Sequence, residues 1–249
     1  MKRARLTWLL VLAGCVVGSP GVATPGLGEE PAARRTPREA LQVFNDLIGS
    51  WRGTGMPEGT QQEKQRGFWI ESISWEWQFK NGDVALHAVI GKGKYYTGAE
   101  LRYLPDKDLY QLTVHTLDKD TQLFTGKLSD RRLTLERQDE TKKQNERLVI
   151  SLLHSNRYLY GYETGPLDRP VLKKLYQVGA TKEGVDFATG EAKPECVVSG
   201  GLGTITVMHK GKTYYVCCSG CRDAFKDDPE KYIKEYEERK AKEAKEKKP

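Results

Sequence analysis

Four of the five cysteines in this 249-residue chain crowd into one short stretch, as Cys196, Cys217, Cys218 and Cys221. Twenty residues separate Cys196 from Cys217 and three separate Cys217 from Cys221. Thiolates gathered this way suit soft or borderline ions such as zinc and copper(I), which prefer sulfur ligands in sites of four or fewer donors. Oxidation is the competing chemistry. In an oxidising compartment the same thiols pair as disulfides, Cys196 with Cys217 for example.

A metal site needs elements that bring these thiols together. Ile205–His209 and Thr213–Val216 read as two strands joined by a tight Lys210-Gly211-Lys212 turn. Cys217 then leaves the second strand, Gly220 permits a sharp bend, and Cys221 opens a helix containing Ala224 and Phe225. A helix N-terminus stabilises the thiolate form of a nearby cysteine, which is the form that binds metal.

Cys196-Val197-Val198-Ser199-Gly200, then Tyr214-Tyr215-Val216-Cys217-Cys218-Ser219-Gly220-Cys221, then Phe225 and Asp228-Pro229-Glu230-Lys231-Tyr232 together resemble a YHS domain, a relative of the TRASH metal-binding modules. The resemblance implies that Cys196, Cys217 and Cys221 occupy the family's metal-binding positions. It also implies a role in sensing, handling or delivering a heavy metal, zinc or copper. Val197 stands where a proline is common, and no second early cysteine follows Gly200. The fourth ligand is therefore open among Cys218, His209, water and a group from a partner.

Upstream, residues 40–184 are patterned as short strands. Leu41, Phe44, Leu47 and Ile48 first mark a short helix at 40–48, closed by Gly49. Period two then takes over. Trp69, Ile73, Trp75, Trp77 and Phe79 share a face broken only by Glu71, and Asn81-Gly82 is a hairpin turn. Nine further runs, at 50–55, 84–90, 95–103, 109–116, 122–127, 132–137, 145–154, 158–164 and 172–178, bring the expectation to about ten antiparallel strands. Closing them into an up-and-down barrel leaves no exposed edge. The fold class expected is mainly β, α+β overall, with the barrel followed by a hairpin-and-helix metal module and a charged C-terminal helix. Trp69, Trp75 and Trp77 are expected to be core rather than a ligand platform.

The opening Leu47-Ile48-Gly49-Ser50-Trp51-Arg52-Gly53-Thr54-Gly55 is similar to that of calycin-like barrels of the lipocalin and nitrobindin kind. That resemblance implies a cavity for a small apolar ligand. It also raises His87, His115 and His154 as haem-ligand candidates, each more simply read as a structural or surface residue. Paired carboxylates, a Ser-His-Asp set and a phosphate-binding glycine loop are all missing, so catalytic residues are not assigned and binding is favoured over an enzyme.

The N-terminus completes the reading. Lys2, Arg3 and Arg5 precede an apolar run from Leu6 to Gly14, too short to span a membrane, which reads as a signal peptide over 1–18. Leu12-Ala13-Gly14-Cys15 resembles a bacterial lipobox, which implies acylation of Cys15, a membrane anchor and residence in the periplasm or cell envelope. Cleavage after Ala23 and simple secretion is the alternative. Residues 19–39, rich in Pro, Gly, Ala and Arg, read as a tether, 185–233 as the YHS-type domain and 234–249 as a charged helical tail. The signal segment holds three positive charges of a net +6, and the tail mixes both signs, so nucleic acid is excluded as a partner.

Overall fold

The computed structural model describes residues 35–184 and 194–246. The expected signal peptide, Cys15 and most of the expected tether lie outside them. Thr36 caps helix α1 (Pro37–Leu41): its side chain accepts from the Glu39 amide, and the Glu39 carboxylate accepts from the Thr36 amide. The helix therefore starts inside the expected tether. It tightens at once into a 3-10 turn, Gln42–Leu47, which carries Phe44 and Leu47 into the core.

Ten strands follow: β1 (Gly49–Pro57), β2 (Trp69–Lys80), β3 (Asp83–Gly91), β4 (Tyr96–Leu104), β5 (Leu109–Thr116), β6 (Thr121–Ser129), β7 (Arg132–Asp139), β8 (Gln144–His154), β9 (Arg157–Pro166) and β10 (Lys173–Lys182). Each pairs antiparallel with its sequence neighbours, and β1 pairs β10 to close the barrel. The expected mainly β architecture stands. Helix α2 (Gln61–Gly67) sits in the β1–β2 connection, capped by Thr60 and Glu63 in the same reciprocal way as α1. The β2–β3 hairpin turns through Asn81 and Gly82, both at positive φ, where glycine lacks the Cβ that would clash.

The interior is filled by side chains. Ile73, Trp75 and Trp77 point inward from β2 and are core, as expected of the two tryptophans, whereas Trp69 is half-buried and packs against that core. Trp51 plugs the end closed by the helical segment, 1% exposed and donating its indole N–H to the Leu47 carbonyl at 2.7 Å. Glu71 keeps the inward position that its place in β2 dictates, 2% exposed. It accepts from the Trp69 indole at 2.8 Å and the Tyr160 hydroxyl at 2.5 Å, and these two donors offset the cost of burying a carboxylate.

A cavity of about 40 Å³ remains among Ile73, Trp75, Ile90, Ala99, Leu112 and Tyr158. Ligand pockets usually exceed roughly 300 Å³. His87, His115 and His154 do not line it: His87 is half-buried, and His115 and His154 are exposed.

Beyond the barrel, a second sheet pairs β11 (Ile205–His209) with β12 (Lys212–Val216), followed by α3 (Ser219–Asp227) and α4 (Pro229–Glu246). Helix α4 runs unbroken through the expected boundary at 233/234. Three of its charges pair with residues outside it: Arg239 and Lys240 with Glu195, and Glu235 with Arg38 of α1. Among the described residues, no helix is long and apolar enough to cross a membrane.

Candidate metal centre

Three backbone segments converge on the thiols. The first is a tight turn at 196–200, held by the Gly200 amide bonding to the Cys196 carbonyl at 2.9 Å and by bridges from Glu195 to Leu202 and from Cys196 to Tyr215. The second is the end of β12, which delivers Cys217. The third is α3, for which Cys218 is the N-cap residue and Cys221 lies in the first turn. The hairpin forms as its sequence demands, turning through Lys210 and Gly211, both at positive φ.

The Sγ atoms of Cys196, Cys217 and Cys221 lie within 4.8 Å of one another. Cys217 Sγ is 3.5 Å from Cys221 Sγ and 3.8 Å from Cys218 Sγ. All four thiols are free and buried, with Cys196 and Cys221 wholly excluded from solvent. Zinc–sulfur bonds are about 2.3 Å, so sulfurs about 4 Å apart match donors sharing one ion. The residues present thus fit a thiophilic ion: Cys196, Cys217 and Cys221 would hold it, with Cys218 adjoining.

Hydrogen bonding divides the protons of the cluster unevenly. Bonds from Cys217 and then Cys221 hold the Cys196 thiol well below its ordinary pKa, and the same two neighbours lower Cys218. Cys217 is raised, first by its bond to Cys196, and burial pushes Cys221 up. An ion replaces whichever protons remain, because thiolates are its ligands. Ser199 steadies the sulfurs: its amide donates to Cys196 Sγ at 3.4 Å, and its hydroxyl lies 3.3 Å from Cys217 Sγ.

His209, one of the fourth-ligand candidates, does not join the group. Its Nε2 is 3.0 Å from Glu230 Oε1, and its ring stands edge-on to Phe225. The residues that sequence reasoning missed are Asn45, Glu76 and Trp77. All three belong to the barrel half and touch the thiol loops. Asn45 donates to the Ser199 carbonyl at 3.0 Å, the Trp77 amide donates to Cys218 Sγ at 3.3 Å, and Glu76 accepts from the Ser219 hydroxyl at 2.5 Å. Contacts between residues more than a hundred positions apart leave no local pattern to find.

No curated protein sequence matches the chain. Among solved structures it is similar to an S-type phycobiliprotein lyase from Guillardia theta, at 9% identity over 61% of this chain and 96% of the other, with a TM-score of 0.34. It is also similar to a redesigned β-barrel bound to DFHBI, at 12% identity over 57% of this chain and 99% of the other, with a TM-score of 0.24. The sequence model of the YHS domain matches residues 206–236, a span that contains Cys217, Cys218 and Cys221 and starts after Cys196. The segment that follows the barrel therefore carries a YHS domain, and its cysteines lie in the thiol cluster.

Proposed function

We propose that this protein binds one thiophilic metal ion, zinc or copper(I), through Cys196, Cys217 and Cys221, with Cys218 adjoining, and acts in metal handling or sensing. The observation that carries this reading is the convergence of three buried sulfurs within 4.8 Å, contributed by segments twenty residues apart in sequence. Buried thiols with this spacing suit sulfur-seeking ions and no hard cation. The barrel's cavity of about 40 Å³ gives no matching support to a role as carrier of an apolar or haem-like ligand.

Metal content of the full chain, purified without an affinity metal, tests the reading. One equivalent of zinc or copper in the wild type, lost in Cys217→Ser/Cys221→Ser, supports it; a metal-free wild type that takes up neither ion defeats it. The N-terminal pattern supports a location outside the cytoplasm, with Cys15 as a lipid attachment to a membrane. Labelling with radioactive palmitate checks the anchor: incorporation into the wild type and its loss in Cys15→Ala are expected.

A further inference from the structure

The barrel reaches the thiols through one strand end. Pairing of β1 with β2 stops at Gly49↔Trp75, so the last residues of β2 have β3 on one side only. Helix α3 takes up the vacant edge. A Cβ at Gly220 would lie 1.6 Å from the Trp77 carbonyl oxygen, so only glycine permits this approach. The approach is what carries the Trp77 amide to 3.3 Å from Cys218 Sγ. Asn45 accepts from the Trp77 indole at 3.1 Å and donates to Ser199, the residue whose amide and hydroxyl touch Cys196 and Cys217. Both thiol-bearing loops are thus fastened to the same corner of the barrel, through Trp77 and its partner Asn45.

Resting on the metal reading above, we propose that the metal centre is a joint site of barrel and YHS domain. The edge of β2 holds Cys218 as a fourth sulfur, so an ion bound by the full chain has four thiolate donors rather than the three of the Cys196, Cys217 and Cys221 set. An amide N–H donated to a thiolate orients that sulfur and tempers its charge, and such outer-shell partners tune metal affinity. Trp77 and Asn45 are positioning residues, acting through Cys218 and Ser199.

The test is titration of the full chain with Co²⁺, whose sulfur-to-metal absorption grows with each bound thiolate. Cys218→Ala is expected to lose about a quarter of the wild-type intensity, one thiolate in four. Gly220→Ala keeps every cysteine but forces α3 off β2, and the same loss is expected there. If circular dichroism finds Gly220→Ala unfolded, Glu76→Ala removes only the Ser219 partner and should show the loss in milder form. A Cys218→Ala spectrum identical to that of a Co²⁺-loaded wild type overturns the four-thiolate site while leaving the metal reading intact. Full intensity in folded docking variants overturns the role of the barrel. A wild type without any thiolate band defeats the metal reading, and this inference with it.

Discussion

Cys196 lies outside the stretch that matches the YHS domain, yet it is wholly buried and shares the 4.8 Å cluster with Cys217 and Cys221. Its importance therefore rests on geometry. Cys196→Ala should weaken metal binding by more than the roughly 10–100-fold typical of an outer-shell change, as read by chelator competition. His209 serves a different purpose at the edge of the same domain. It and Lys210 both bond the exposed Glu230 carboxylate, whose pKa falls from 4.5 to about 2, chiefly through Lys210. A carboxylate with a depressed pKa contributes stability at neutral pH and loses it as pH falls from about 4.5 through about 2. Lys210→Ala should move the Glu230 titration upward towards its ordinary value, as followed by carbon-detected NMR.

At the scale of elements, β2 serves both halves of the molecule: its inward side chains fill the barrel and its free edge meets α3. The inward face was legible as alternation of Trp69, Ile73, Trp75, Trp77 and Phe79. Glu71 interrupts that alternation in sequence but not in space, because Trp69 and Tyr160 satisfy it. Helices α1 and α2 follow the capping pattern Thr-x-x-Glu at 36–39 and 60–63, a signal present in the sequence that hydrophobic periodicity overlooks in helices this short. Trp51 fixes the closed end of the barrel. Trp51→Ala should cost about 3–5 kcal/mol by urea unfolding, the usual penalty for emptying a buried aromatic site. Arg137, 2.8 Å from the buried Glu146, matters at the other end. Its replacement by Leu should cost about 3 kcal/mol, because Glu146 would stay buried with its nearest remaining cation, Lys142, 4.0 Å away.

The whole molecule joins a metal-ready domain to a filled barrel, and the junction predicts thermodynamic coupling. The described tryptophans, Trp51, Trp69, Trp75 and Trp77, all lie in or before β2 of the barrel, whereas the thiols lie after β10. An ion at a hundred times its dissociation constant adds about 2.7 kcal/mol to the state that binds it. If the halves unfold together, tryptophan fluorescence should report a rise in melting temperature of about 5 °C or more on adding zinc. An unmoved fluorescence midpoint, beside a shifted one for the thiols' own reactivity, would mean that the two halves melt separately.

Sequence alone determined the strand number, the hairpin before Cys217 and the identity of the clustered thiols, because alternation, turn residues and ligand type are local properties of the chain. The continuity of α4, the rejection of His209 and the contacts of Asn45, Glu76 and Trp77 with the thiol loops were decided by the tertiary structure. They depend on which charged partner, strand edge or carbonyl happens to stand opposite once the barrel has closed. For the contacts between barrel and thiol loops that is a matter of three-dimensional register between segments more than a hundred residues apart, and no spacing along the chain encodes it.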